Sequence, residues 1–224
     1  MQIAGFQKNS LVDFPGQLSA VIFTPGCNMN CWYCHNHGIK PDASLTFDGI
    51  LDFLQKRKGF IDGVVFTGGE VTLQPDLKEA MQKVKDLGFL TKLDSNGLNP
   101  QKIKELVEAG LVDYVAMDIK APLERYDEIT GVKCDIEAIK KSINYLMSCG
   151  VDYEFRTTFS PDLMVEDIKK IAQLIRGAKR YAIQQYRQKC YDKMLTQKPH
   201  EPTYLTMAKE TAMPYVKEVL VRGI

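Results

Sequence analysis

The sequence has no long run of apolar residues and no excess of charge of either sign. Its longest apolar stretches, such as 20–23, are too short to cross a bilayer, and the amino terminus lacks the features of a signal peptide. The 224 residues carry 29 Lys and Arg against 28 Asp and Glu. This balance gives no electrostatic argument for nucleic acid or an anionic membrane as a partner. We therefore expect a cytoplasmic protein that binds neither.

The sequence also has no feature that would divide the chain into domains. No repeat, low-complexity segment or Pro/Gly-rich linker interrupts the chain. The length suits one large domain with a sizeable core. We expect a single domain over residues 1–224, with a core at about 16–186 and a carboxyl-terminal extension at about 187–224.

Predicted strands and helices alternate along the chain. Apolar runs predict strands at 18–24, 63–67, 89–93, 112–119, 151–159 and 180–185. Apolar residues spaced by three and four predict helices at 47–57, 75–88, 99–110, 136–147, 165–175 and, less regularly, 206–220. Repeated strand–helix units imply a parallel sheet. Six units are too few for a closed eight-stranded barrel, so we expect an α/β fold with a partial, open (β/α)6 barrel, or alternatively a doubly wound sheet.

Polar side chains occur near the carboxyl ends of successive predicted strands, where such a fold places its chemistry. Asp118 and Lys120 have the same parity and should face the same way. The full set is Glu70, Asp94, Asp118, Lys120, Arg156 and Gln184. The pattern predicts a polar site at one rim of the sheet.

Three of the six cysteines crowd into the loop after the first predicted strand, as Cys27, Cys31 and Cys34. Thiolates suit zinc, copper(I) or iron–sulfur clusters. Structural zinc needs four ligands, and His35 or His37 could supply the fourth. A [4Fe–4S] cluster normally takes four thiolates, so three would leave one iron open to an outside ligand.

The CxxxCxxC spacing, with an aromatic residue before the third cysteine, resembles the signature of the radical S-adenosylmethionine (radical SAM) superfamily. The resemblance implies that the three cysteines hold a [4Fe–4S] cluster. It also implies that an electron from this cluster cleaves S-adenosylmethionine to a carbon radical, which removes a hydrogen atom from the substrate. The cofactors then carry out the bond cleavage and the hydrogen abstraction, and the protein orients them.

Further residues resemble cofactor-binding motifs of the same superfamily. Gly68, Gly69 and Glu70 resemble its GGE motif, which contacts the methionyl amino group; a plain tight turn is the structural alternative. The resemblance to glycyl-radical activating enzymes implies that Lys120 contacts the cofactor carboxylate, and that a monovalent cation lies beside that carboxylate. The residues implied for the cation are Asp94, Ser95 and Asp118.

Each of these residues also has a structural interpretation. Asp94 could form an Asx turn, and Asp118 with Lys120 an internal ion pair. Arg156 could hold the cofactor or a partner's peptide, or could pair with Glu154 or Asp152. Tyr33 and Asn36 are further cofactor contacts, unless they only shield the cluster and fix the loop.

The segment 5–16 and the approach to the cysteines resemble the longer anaerobic ribonucleoside-triphosphate reductase activating proteins. This resemblance implies a hydrogen abstraction from a glycine of the large reductase subunit, with flavodoxin or ferredoxin as the electron donor. A pyruvate formate-lyase-type activating enzyme and a radical SAM enzyme acting on a small molecule are alternatives. A non-catalytic protein that holds a cluster or zinc is a third.

Overall fold

The computed structural model describes residues 1–190 and 194–223. The chain forms two compact units. Unit 1 comprises Met1–Asn28, Gly38–Ser95 and Gln101–Val115, and unit 2 comprises Met29–His37, Asn96–Pro100 and Ala116–Ile224. Of the expected carboxyl-terminal extension, residues 191–193 and 224 lie outside the described residues.

Unit 1 is built on four neighbouring strands. β1 (Gly5–Ser10) pairs antiparallel with β2 (Ser19–Thr24), and β2, β3 (Gly63–Gly68) and β4 (Leu90–Ser95) are parallel. Thr24 and Gly68 are register partners, so β2 and β3 end at the same level. The segments that follow these two strands therefore begin side by side.

The helices of unit 1 pack their apolar faces inward. α1 (Phe47–Gln55) begins at Thr46, whose hydroxyl oxygen accepts a hydrogen bond from the Gly49 amide at 3.1 Å. A 3₁₀ turn (Val71–Leu73) follows β3, and α2 (Leu77–Asp86) and α3 (Pro100–Glu108) come later in the chain. The buried apolar residues of these three helices are Ile50, Leu54, Leu77, Ala80, Met81, Val84, Ile103, Leu106 and Val107.

β5 (Tyr114–Asp118) is divided between the units, its last three residues lying in unit 2. Unit 2 continues with a 3₁₀ turn (Leu123–Arg125) and two helices, and then with parallel strands separated by two further helices. These elements are α4 (Tyr126–Thr130), α5 (Ile136–Ser148), β6 (Asp152–Phe159), α6 (Val165–Leu174), β7 (Arg180–Gln185), α7 (Pro202–Ala212) and β8 (Glu218–Arg222).

The predicted alternation of strands and helices is confirmed, with two corrections at the ends of the chain. β1 was not predicted. The predicted helix at 206–220, expected to be broken near Pro214, is confirmed only before that proline: α7 (Pro202–Ala212) ends at Ala212, and the part after Pro214 is wrong because β8 occupies Glu218–Arg222. Pro214 has no amide hydrogen with which to continue the helix, and the valines of β8 favour a strand. No helix of the described residues is long and apolar enough to span a membrane.

Candidate functional site

The cysteine-bearing segment follows β2 directly. Cys27 belongs to unit 1 and is exposed, whereas in unit 2 Cys31 is buried and Cys34 is half-buried. The Cys34 amide donates to the Cys31 carbonyl at 3.1 Å, and the His37 amide donates to the Cys34 carbonyl at 3.2 Å. The unit 2 part of the loop is therefore a succession of turns held by the backbone itself.

The two histidines of this loop contact groups other than the thiols. His35 Nε2 lies 3.3 Å from the Arg187 carbonyl, and His37 Nε2 lies 3.1 Å from Asn30 Oδ1. Among the described residues, no three or more His, Cys, Asp or Glu side chains are grouped so that they could hold a single metal ion.

The glycine turn after β3 lies against the backbone that leads to Cys27. The Gly69 amide donates to the Thr24 carbonyl and the Glu70 amide to the Gly26 carbonyl, both at 2.8 Å. A Cβ atom at Gly68 would lie 2.2 Å from the Thr24 nitrogen, and one at Gly69 would lie 1.8 Å from the Gly26 oxygen. Only glycine permits this approach, so the turn is more than a flexible connection.

The carboxylate of Glu70 is almost fully buried, with 1% of the residue exposed. Its Oε1 accepts hydrogen bonds from the Thr72 amide at 3.1 Å, the Thr72 hydroxyl at 2.5 Å and the Ser95 hydroxyl at 2.9 Å. Ser95, which the sequence associates with a cation, thus holds the glutamate of the glycine turn. Thr72 was not predicted; its position two residues after Glu70 was the available signal.

Asp94 lies near the carboxyl end of β4 and pairs with an unpredicted lysine. The ammonium of Lys92 donates a hydrogen bond to Asp94 Oδ1. Lys92 is 1% exposed, and its Nζ lies 5.9 Å from the centre of the Tyr114 ring. The two residues share the parity of one strand face, which could have identified the pair from the sequence.

Asp118 receives two cations in unit 2. Lys120 Nζ lies 2.9 Å from its Oδ2, and Arg156 Nε lies 2.8 Å from its Oδ1. Burial alone would raise the pKa of Asp118, but Arg156 and Lys120 outweigh it and hold that pKa well below its ordinary value. Burial likewise opposes the charge of Lys120, yet Asp118 keeps the pKa of Lys120 well above its ordinary value.

The ion pair between Asp118 and Lys120, offered above as the structural alternative to a cofactor role, is present, whereas the suggested structural partners of Arg156 are wrong. Glu154 is bound by Arg222, and Asp152 pairs with Lys179 at 3.0 Å. Arg156 instead reaches Asp118 on the preceding strand. Arg156 therefore lies with Asp118 and Lys120, two of the polar residues that the sequence predicts near the carboxyl ends of the strands.

Tyr33 is buried in the cysteine loop. Its hydroxyl has no hydrogen-bond partner among the described residues, and burial raises the pKa of its phenol well above the ordinary value. The centre of the Trp32 ring lies 5.7 Å from the ring centres of both Tyr33 and Tyr186. Asn36 is half-buried, two residues after Cys34. The structure thus provides a neutral phenol whose donor remains available.

Comparisons with known proteins give one family. The sequence matches the Radical SAM superfamily over residues 21–175. A protein of Methanocaldococcus jannaschii named "Putative glycyl-radical enzyme activating enzyme" is 37% identical, the match covering 99% of this chain and 96% of that protein. The pyruvate formate-lyase-activating enzyme of Clostridium pasteurianum is 30% identical, over 79% of this chain and 76% of that enzyme.

Solved structures show the fold. Streptococcus suis SuiB bound to S-adenosylmethionine matches with a TM-score of 0.72 at 14% identity, over 88% of this chain. The chain spans about half the length of SuiB, since 48% of that protein is covered. A domain of pyruvate-formate lyase-activating enzyme from Bacteroides vulgatus matches with a TM-score of 0.58 at 18% identity, over 72% of this chain and 99% of that domain. The predicted fold class, an α/β fold of the radical SAM type with a parallel sheet, is confirmed.

Proposed function

The chain belongs to the radical SAM superfamily and, within it, to the glycyl-radical enzyme activating enzymes, and on that premise we propose that it activates anaerobic ribonucleoside-triphosphate reductase. In this proposal it cleaves S-adenosylmethionine reductively and removes a hydrogen atom from a glycine of the large reductase subunit. The observation that carries the proposal is the match to the Methanocaldococcus jannaschii protein over 99% of this chain. The segment 5–16, with its resemblance to reductase activating proteins, supports the choice of substrate.

The family implies a [4Fe–4S] cluster and S-adenosylmethionine, and the donor chemistry of the residues present, thiols for iron and polar groups for the cofactor, suits both groups. We propose that Cys27, Cys31 and Cys34 together bind the cluster, because three thiolates leave one iron for an outside ligand. When bound, the cluster and S-adenosylmethionine supply the radical chemistry, in which one electron cleaves the sulfonium and a hydrogen atom leaves the glycine. A flavodoxin or ferredoxin is the proposed source of that electron.

The proposed cofactor contacts use the polar groups at the ends of the strands. Gly68 and Gly69 would offer backbone groups to the cofactor's ammonium, beside Glu70, whose carboxylate Thr72 and Ser95 hold. Tyr33 offers a buried hydroxyl donor. Lys120 would bind the cofactor carboxylate, and Arg156 would keep Asp118 paired if Lys120 left it. Asn36 completes the set from the turn after Cys34.

We also propose that residues 1–224 act as one domain in this reaction.

One specific observation favours a second substrate. The 30% identity to the Clostridium pasteurianum enzyme extends over 79% of this chain, so a pyruvate formate-lyase-type partner is the alternative. Both substrates are large proteins that present a glycine, and the proposed cofactor contacts serve either.

The decisive experiment compares the two partners. The chain is reconstituted anaerobically with iron and sulfide, reduced with dithionite, and mixed with S-adenosylmethionine and either the reductase or pyruvate formate-lyase from one source organism. We expect release of 5′-deoxyadenosine and a glycyl radical doublet by electron paramagnetic resonance with the reductase. Substitution of the partner's glycine by alanine should abolish the doublet. A doublet only with pyruvate formate-lyase would refute the proposed substrate, and the absence of a cluster would refute the whole scheme.

A further inference from the structure

The three carbonyls that precede Cys27 all accept hydrogen bonds from the segment after β3. The Gly69 amide reaches Thr24 and the Glu70 amide reaches Gly26. The carbonyl between them, that of Pro25, accepts from the side-chain amide of Gln74, whose Nε2 lies 3.2 Å away. Of these three contacts, two are made by backbone amides and the third by the side chain of Gln74.

The backbone of Gln74 is held by hydrogen bonds that do not depend on its side-chain contact with Pro25. Its residue is 8% exposed and ends the 3₁₀ turn Val71–Leu73, where its amide donates to the Val71 carbonyl at 3.0 Å. Its own carbonyl accepts from the Leu77 amide at 3.3 Å, at the start of α2. With the backbone held on both sides, the side chain loses little further freedom when it binds Pro25.

The contact matters because of the residue that follows Pro25. Gly26 has a φ of +80°, and glycine tolerates either orientation of the preceding peptide plane. Pro25 is buried, and a buried carbonyl requires a partner. The amide of Gln74 therefore selects one orientation of the Pro25–Gly26 peptide. That peptide immediately precedes Cys27, so the contact of Gln74 ties the approach to Cys27 to the 3₁₀ turn.

We propose that Gln74 is a positioning residue for Cys27. It acts through the Pro25 carbonyl and contacts neither the thiol nor a cofactor. The importance of Cys27 as a cluster ligand rests on the proposed function, whereas its placement by Gln74 is a property of the metal-free chain. The same 3₁₀ turn carries Thr72, whose hydroxyl donates to Glu70. One short segment therefore holds both Glu70 and Pro25.

The test uses two variants that both lack the donor. Gln74→Leu and Gln74→Glu are close to glutamine in size; leucine has no donor, and glutamate has none when it is ionised. Gln82→Leu is the matched control, since Gln82 is exposed on α2 and bonds only to Asp86 among the contacts found. In the metal-free chain, the rates at which iodoacetamide modifies Cys27 and Cys34 are measured by mass spectrometry and expressed as a ratio.

We expect both Gln74 variants to melt cooperatively and to change the Cys27-to-Cys34 rate ratio by about twofold or more, because the segment opens locally. Gln82→Leu should leave the ratio unchanged. In reconstituted protein, the Gln74 variants should alter the paramagnetic resonance spectrum of the reduced cluster. An unchanged ratio in both variants would overturn the proposal, and so would loss of the cooperative melt in both, which would make Gln74 a structural residue. If the wild type bound no cluster, the proposed function would fail while the ratio still decided the role of Gln74.

Discussion

The ammonium of Lys92 donates a hydrogen bond to the carboxylate of Asp94, two residues later on the same strand. Both groups lie away from solvent: Lys92 has 1% and Asp94 has 12% of its side chain exposed. A buried charge is tolerated only when it is paired and hydrogen-bonded. The chain therefore supplies its own counter-charge to an aspartate that the sequence had associated with an external cation.

Replacing Lys92 with Met should destabilise the fold. Removal of one partner of a buried ion pair leaves the other charge uncompensated, so we expect the free energy of unfolding to fall by about 3 kcal/mol. Urea denaturation measures this change. The double variant Lys92→Met/Asp94→Leu removes both charges and should recover most of the loss. A double variant as unstable as the sum of the two single variants would show that the pair does not act as a unit.

Cofactor binding should not require a monovalent cation. The three side chains expected to bind one have protein partners: Asp94 contacts Lys92, Ser95 contacts Glu70, and Asp118 contacts two cations. We expect the same affinity for S-adenosylmethionine in potassium, sodium and tetramethylammonium buffers, measured by titration of the reconstituted protein. Affinity that vanishes in tetramethylammonium and returns with potassium would contradict this expectation and support the cation that the sequence resemblance implies.

Stability should depend on the ionisation of Asp118. Its pKa is lowered in the folded state, because Arg156 and Lys120 outweigh the effect of burial. Such a carboxyl stabilises the fold above its unfolded pKa of about 3.9, and the contribution is lost as the pH falls through the lower folded-state pKa. Asp118→Asn should therefore lose about 2 kcal/mol near neutral pH, and the difference from the wild type should shrink below about pH 4.

Urea unfolding at a series of pH values measures the Asp118 effect. Asp152→Asn is the matched control, because Asp152 forms an exposed pair with Lys179, and such pairs contribute little. If the Asp118→Asn difference remained constant down to pH values far below 4, the ion pairs would not be its source.

The sequence predicts contacts within one strand better than contacts between strands. The Asp118–Lys120 pair follows from parity alone. Glu154 and Asp152 were the structural partners suggested for Arg156, but its partner Asp118 lies on the preceding strand. The order of strands in a sheet, which sequence periodicity does not give, decides such pairs. The same limit explains why the contact between Gln74 and Pro25, 49 residues apart, was missed.

Motif spacing identified the cysteines and the glycine turn, because their chemistry depends on residues close in sequence. The supporting residues were harder to predict. Nothing distinguishes Lys92 from other strand residues in the sequence unless its pairing with Asp94 on the same strand face is considered. The role of Thr72 depends on the burial of Glu70, which the sequence alone does not show. β8 was predicted as helix because its apolar residues, after Pro214, fit a helical spacing almost as well as a strand.

Removing the hydroxyl of Tyr33 should weaken cofactor binding without weakening the fold. That hydroxyl is buried and without a partner among the described residues, so Tyr33→Phe should keep or raise the melting temperature. We expect the affinity for S-adenosylmethionine to fall by about tenfold, the loss of one hydrogen bond to a charged or polar ligand group. Thermal melts without ligand and titrations with it measure the two effects.

Tyr181→Phe is the matched control for Tyr33. Its hydroxyl is also buried but donates to Thr157 Oγ1 at 2.9 Å. This substitution should cost about 1 kcal/mol of stability and leave cofactor affinity unchanged. If the two phenylalanine variants lost the same stability and neither changed affinity, Tyr33 would be a structural residue of the cysteine loop.

The last strand should depend on one ion pair whose carboxylate is buried. The Arg222 guanidinium on β8 binds both carboxylate oxygens of Glu154 on β6, at 2.9 and 2.7 Å, and Glu154 is 1% exposed. Arg222→Met leaves that carboxylate buried without its cation, so we expect a loss of about 3 kcal/mol in urea denaturation. The exposed pair of Arg180 with Glu218 links β7 to the same strand, and Arg180→Met should cost under about 1 kcal/mol. Equal losses in the two variants would mean that β8 is held by its backbone pairing with β7, and that the bidentate geometry of Arg222 adds nothing.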